Sequence, residues 1–132
     1  MLKVAAAYLV TLVVMVALDL LWLGVIARST YQQGIGHLMA ERPDVMVATA
    51  FYAVYVLGLM MFAVQPNTTI GAGRTALAAA MFGFFAYATY DLTNLATLRN
   101  WPIGVSLLDI GWGVVVSTAS ASAGRFAFDR IS

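Results

Sequence analysis

The chain has 132 residues, of which 62% are hydrophobic and 10% charged, and its formal net charge is +1. A soluble domain would carry about a quarter charged residues, so the composition excludes a soluble fold and predicts one integral-membrane domain over residues 1–132. The low net charge excludes a nucleic-acid-binding surface, and the absence of cysteine excludes disulfides and thiolate metal sites.

Four apolar runs are each long enough to cross a bilayer, which takes about 20 residues. They cover approximately residues 4–27, 44–65, 74–98 and 103–124. The first run is too long for the apolar core of a signal peptide, and we expect it to be retained as a helix. The sequence therefore predicts an all-α membrane protein, a four-transmembrane-helix bundle with both termini on the same side.

The only long polar segment, residues 28–43, is expected to be a solvated loop, with His37 as a loop histidine. Basic residues lie near the span ends. The end that carries both termini, here called side A, holds Lys3, Arg74, Arg125 and Arg130, whereas side B holds Arg28, Arg42 and Arg99. This excess of positive charge favours the cytoplasm for side A and for both termini.

The third run carries the most polar group of residues in any span. Tyr87, Asp91 and Asn94 are spaced by four and three, so they share one helical face. An ionisable residue inside a span is costly and marks a candidate functional site. Two further aspartates, Asp19 in the first run and Asp109 in the fourth, interrupt apolar sequence in the same way.

The three aspartates lie at a similar depth. Counted from the span ends at about 1.5 Å per residue, Asp19, Asp91 and Asp109 lie roughly 10–12 Å below the side-B surface, level with Tyr52. Each would cost about 2.5–3.5 kcal/mol if it faced lipid, so we expect the aspartates to face a shared pocket. No basic residue lies inside a span, and Arg28 is expected on the far side of the first helix from Asp19. Either some carboxyls hold a proton or a cation lies among them.

The candidate ligand-binding or proton-carrying residues combine carboxylates, hydrogen-bonding groups and aromatic walls: Asp19, Asp91, Asp109, Asn94, Tyr52, Tyr87, Tyr90, Trp22 and Trp112. If a metal binds, its ligands would be the three aspartates, an all-oxygen set typical of sodium, magnesium or calcium. No cofactor is indicated.

Two sequence patterns suggest how the helices pack. Trp22 and Trp112 each follow an aspartate by three residues, which suggests either a trace of duplication or an indole N–H donated to a carboxylate. In the fourth run, Gly113, Ser117 and Gly124 form a small-residue stripe of the kind that lets helix backbones approach closely.

The resemblance to a known family rests on three strings: FYAVYVLGLMMFAVQP (51–66), FGFFAYATYDLTNLATLRNWP (82–102) and DIGWG (109–113). They resemble a family of small bacterial four-span membrane proteins, domain of unknown function 2177. The resemblance implies a four-span topology and a multi-pass location in the bacterial cytoplasmic (inner) membrane. It implies no particular activity.

Three functions fit these features. The first is binding or conduction of a small polar or cationic ligand, or of protons, in the side-B half of the bundle. The second is a structural or assembly subunit of a homo-oligomer or larger membrane complex, docked through the small-residue stripe. The third is an accessory factor or enzyme of lipid modification, ranked lower because histidine clusters, thiols and serine-centred motifs are missing from the sequence. The partner common to all three is the lipid bilayer.

Overall fold

The computed structural model describes residues 1–131, and this part of the chain is helical without any strand. Its α-helices are α1 (Leu2–Leu21), α2 (Arg28–Ile35), α3 (Val45–Leu59), α4 (Ala72–Thr97) and α5 (Ile103–Arg130). A π-helical turn extends α1 through Trp22–Ile26 and another extends α3 through Met60–Val64. Short 3₁₀ turns cover Gly36–Leu38 and Gln65–Asn67.

Three stretches are long and apolar enough to cross a membrane: Leu2–Ile26, Val45–Asn67 and Ile103–Arg130. They coincide with the first, second and fourth expected spans, although α5 continues to Arg130, beyond the expected end of the fourth span at residue 124. α4 has 26 residues at the position of the third expected span, but its polar residues make it less apolar than the others. Length and composition thus support three spans, and the span over α4 stays a prediction.

α5 is the central helix, because both α1 and α4 pack along it. On α1, Ala7, Thr11, Met15 and Asp19 recur at a spacing of four and form one buried stripe. A Cβ added at Gly124 of α5 would collide with Thr11, so the missing side chain is what allows α1 to approach α5 this closely.

The contact between α4 and α5 also depends on small residues. A Cβ at Gly83 would collide with Ser117 and with the carbonyl oxygen of Gly113, and a Cβ at Gly113 would collide with the ring of Tyr87. The small-residue stripe of α5 therefore packs within the chain, against α4 and α1, and holds α4 and α5 at short distance.

The polar segment that was expected to be a loop contains a helix instead. The backbone leaves helical geometry at Ala27, where φ is −109°, and α2 then packs against α5. Tyr31 is buried in a small cluster with Ala27 and Val105, and Gly34 lies so close to Val105 that a Cβ would collide with it. Segment 28–35 is helical because one face of it is buried on α5, whereas His37 beyond it is exposed, as expected.

Arg125 anchors the side-A end of the bundle. It is 6% exposed, although it is a charged residue at the end of an expected span. Its Nε donates to Asp129 at 3.0 Å, and its Nη1 donates to the Asn67 carbonyl at 2.7 Å and to Thr75 Oγ1 at 3.1 Å. The guanidinium therefore ties the segment that follows α3 to α4 and α5.

Candidate functional site

Asp19 joins three helices in the side-B half of the bundle. The Tyr52 hydroxyl of α3 donates to Asp19 Oδ2 at 2.6 Å, and the Trp112 indole N–H of α5 donates to Asp19 Oδ1 at 2.7 Å. Hydrogen bonds to a charged acceptor are shorter and stronger than neutral ones. Both oxygens of this buried carboxyl group therefore accept a hydrogen bond, and the two bonds fix the orientation of the group.

Asp109 is held in a similar way from α2. The Tyr31 hydroxyl donates to Asp109 Oδ1 at 2.8 Å and accepts a hydrogen bond from the Trp22 indole N–H at 3.1 Å. Burial raises the pKa of the Tyr31 phenol well above its ordinary value, and the charge of Asp109 raises it further against the opposing effect of Trp22. Tyr31 is consequently a neutral phenol that donates to the carboxylate.

The tryptophans of the two Asp-x-x-Trp patterns stack on each other between α1 and α5. The rings of Trp22 and Trp112 stack with centroids 4.5 Å apart and planes 3° from parallel. The indole of Trp112 bonds directly to Asp19, whereas the indole of Trp22 reaches Asp109 through the Tyr31 hydroxyl. The donation suggested by the sequence thus occurs between helices rather than within each one.

These groups surround a cavity of about 580 Å³, within the range of about 300–1,000 Å³ that is usual for small-molecule sites. Six of the candidate residues line it: Asp19, Asp109, Tyr52, Tyr87, Tyr90 and Trp112. The rest of the wall is largely apolar or aromatic and includes Leu23, Ile35, Met39, Phe51, Tyr55 and Ala86. The hydroxyl of Tyr87 has no hydrogen-bond partner within the described residues, so it is available to a ligand.

Three candidate residues lie outside the lining. Trp22 stands behind Trp112 in the stack, and Asn94 is half-buried near the side-B end of α4. Asp91 is completely buried. It was expected to be one of the ligand-binding or proton-carrying residues, but it is absent from the cavity lining.

Asp91 is the most unusual polar group of the protein. Both of its oxygens are buried without a donor anywhere in residues 1–131. Tyr87 packs on Gly113, so one turn further along the antiparallel pair of α4 and α5, Asp91 lies next to Asp109. An ionised carboxylate without a donor costs several kcal/mol in such a place. The arrangement is satisfied when Asp91 holds a proton and donates it to Asp109.

Four lining residues of α2 were not anticipated: Arg28, Tyr31, Gln32 and Ile35. The expectation that Arg28 lies away from Asp19 is wrong, because the first helix breaks at Ala27 and α2 turns back over the cavity. The available signal was the helical spacing of Arg28, Tyr31, Gln32 and Ile35.

The aspartates do not converge as ligands of one metal ion. In the part of the chain that the structure describes, no group of three or more His, Asp or Glu side chains is placed to hold a metal. Asp19 already accepts two hydrogen bonds and Asp91 faces Asp109, so the hypothetical metal site of Asp19, Asp91 and Asp109 has no support from the geometry.

Comparison with known proteins identifies the family of the chain. No curated protein and no solved structure matches it. Residues 4–126, however, match a family described as predicted membrane proteins, DUF2177. The match covers nearly the whole sequence, including all the residues of the cavity, and agrees with the apolar helices of the fold. The chain therefore belongs to the DUF2177 family of predicted membrane proteins.

Proposed function

We propose that this protein crosses the bacterial cytoplasmic membrane four times and binds a small polar or cationic ligand in the cavity of its side-B half. The observation that carries the proposal is that Asp19 and Asp109 are fixed by Tyr52, Trp112 and Tyr31 while they face an aromatic cavity. Side chains held this way need no reorganisation when a ligand arrives.

The length and outer face of α4 support the proposed four-span topology. Its 26 residues extend about 39 Å, which exceeds the bilayer core of about 30 Å. Its outer face carries large apolar side chains that are about half exposed: Leu77, Met81, Phe84, Phe85 and Leu92. Lipid is the natural surrounding for that face, since α4 packs along α5, which is itself long and apolar enough to span. With four spans, the whole chain is one membrane domain whose termini share side A, which the basic residues favour as the cytoplasmic side.

The wall chemistry favours a positively charged ligand. Asp109 supplies negative charge at a point where aromatic rings from four helices converge, among them Tyr52, Tyr87 and Trp112. Aromatic faces attract cations, by up to about 2 kcal/mol when water is excluded. Protons are an alternative occupant, because the buried Asp91 carboxyl group has no donor and lies next to Asp109.

The role of a scaffold loses its main support. The stripe expected to dock a partner, Gly113, Ser117 and Gly124, is occupied by α4 and α1 of the same chain. The hydroxyl of Ser117 is also within hydrogen-bond distance of Tyr55, at 2.7 Å, so enlarging it would disturb the cavity wall.

Calorimetric titration of the purified chain in nanodiscs tests the proposal. The probes are ammonium, benzylammonium and benzyltrimethylammonium chloride. We expect saturable binding of at least one aromatic probe, weakened about tenfold in Asp109→Asn, which corresponds to about 1.4 kcal/mol.

The matched control is Asp44→Asn. Asp44 is exposed and caps α3 by accepting a hydrogen bond from the Val47 amide, a role that asparagine fills as well. This variant makes the same charge change outside the cavity and should bind like the unmodified protein. Absence of saturable binding, or equal weakening in both variants, would overturn the proposed function.

A further inference from the structure

Resting on the proposed function, we infer that the cavity takes a zwitterionic amphiphile: an ammonium group at Asp109, an anionic group at Arg28, and a hydrocarbon chain leaving between α3 and α4. Three independent features of the cavity carry this inference: its separated charges, its lateral opening and its size.

The charges of opposite sign do not neutralise each other. Arg28, Asp19 and Asp109 all line the cavity, yet Arg28 has no carboxylate within 4.0 Å in residues 1–131. A basic and an acidic group that face one cavity without touching are complementary to a ligand that carries both charges. A simple cation would satisfy Asp109 and leave Arg28 facing the cavity without a counter-charge.

The opening follows from the way α3 packs. Its π-helical turn Met60–Val64 approaches α4 closely, whereas Val45–Leu59 makes almost no close backbone approach to it. At the boundary, the ring of Phe82 fills the space against Gly58. One turn further along the same face of α4, the small side chain of Ala86 lines the cavity.

Beyond Ala86, α3 and α4 meet through side chains: the rings of Tyr55 and Tyr87 are edge to face, with centroids 6.0 Å apart. Phe51 on α3 and Tyr90 on α4 both line the cavity and are 45% and 55% exposed. Both helices belong to the proposed spans, so this opening faces the acyl chains of the bilayer. Its aromatic edges suit a hydrocarbon chain rather than a hydrated solute.

The size fits a head group and the first part of a chain. About 580 Å³ is adequate for a small molecule but not for a whole two-chain lipid, so the remaining hydrocarbon stays in the membrane. A ligand held this way reaches the site from the bilayer, without crossing the polar residues of α2.

Competition binding to the full chain in nanodiscs tests the inference with four probes. Lysophosphatidylethanolamine carries ammonium, phosphate and one chain. Lysophosphatidylglycerol lacks the ammonium, dodecylammonium lacks the anion, and phosphoethanolamine lacks the chain. We expect lysophosphatidylethanolamine to bind tightest and each omission to weaken binding about tenfold.

Variants separate the parts of the claim. Arg28→Gln should abolish the preference for lysophosphatidylethanolamine over dodecylammonium, whereas Arg42→Gln, an exposed side-B arginine that does not line the cavity, should keep it. Ala86→Phe should weaken the probes that carry a chain and spare phosphoethanolamine. Arg28 is exposed, so its variant folds and the test remains available even if Ala86→Phe does not.

The other outcomes distinguish failure of this inference from failure of the proposed function. Equal binding of phosphoethanolamine and lysophosphatidylethanolamine would overturn the amphiphile inference and leave the proposed function standing. If lysophosphatidylglycerol binds as tightly as lysophosphatidylethanolamine, the ammonium group makes no contribution and the cavity holds any single-chain lipid. That result would also overturn the inference. If none of the probes binds and the organic cations also fail, both proposals are wrong.

Discussion

Replacement of Asp91 by asparagine distinguishes two states of the most deeply buried carboxyl group. If Asp91 is a neutral acid that donates to Asp109, the amide N–H of asparagine replaces the donor at nearly the same place. A net hydrogen bond contributes about 0.5–1.5 kcal/mol, and here it is exchanged rather than lost, so the free energy of unfolding should change by less than about 1 kcal/mol. Asp91→Leu removes the donor and should cost about 1–3 kcal/mol.

An ionised Asp91 predicts a change of opposite sign in the free energy of unfolding. Both oxygens of Asp91 lack a donor in residues 1–131, so an ionised Asp91 would be an uncompensated buried charge. Its removal in Asp91→Asn would then raise the free energy of unfolding by several kcal/mol.

Equilibrium unfolding in mixed micelles measures these changes, with Asp44→Asn as the control for a lost surface charge. Infrared spectroscopy adds a direct check, since the carbonyl stretch of a neutral carboxylic acid should be present at neutral pH and lost in Asp91→Asn. A large stabilisation, a missing acid band, or a cost equal to that of Asp91→Leu would refute the reasoning.

Three further substitutions test other parts of the structure. Tyr31→Phe removes the hydroxyl that donates to Asp109 and should lower the free energy of unfolding by about 1–3 kcal/mol; chemical denaturation that shows no change would contradict this. Gly113→Ala forces a Cβ against the Tyr87 ring and should cost about 1–3 kcal/mol in the same assay, while the exposed Gly73→Ala should not. Arg125→Met leaves the Thr68 carbonyl without a donor and removes one of the donors to the Asn67 carbonyl, so it should cost about 1–3 kcal/mol, seen as faster proteolysis near residues 65–71; an unchanged cleavage rate would exclude the anchoring role.

Much of the site could be predicted because membranes penalise polar groups strongly. Asp19, Tyr52 and Asp109 were placed at one depth by counting residues from the span ends, and the structure brings them around one cavity. Their common depth in a membrane stays a prediction, which rests on the nearly constant rise per residue of a helix.

The other features of the site depend on how the helices break and pack, which the spacing of residues does not predict. Arg28 and Tyr31 reach the cavity only because the first helix breaks at Ala27, after a π-helical turn that contains Gly24, and a single glycine in an apolar run does not predict such a break. Asp91 shares a helical face with Tyr87, but the close contact with α5 ends the cavity between them. The stacking of the two tryptophans could not be predicted without knowing that α1 and α5 are neighbours.

The most direct test of the central claim is an experimental structure of the full chain purified in its native lipids, at a resolution that shows density in the cavity. The account predicts an elongated density whose polar end lies within hydrogen-bonding distance of Asp109 and Arg28, and whose other end passes Ala86 between α3 and α4. A structure in which α3 packs against α4 along its whole length, or in which Asp19 and Asp109 face lipid, would contradict it.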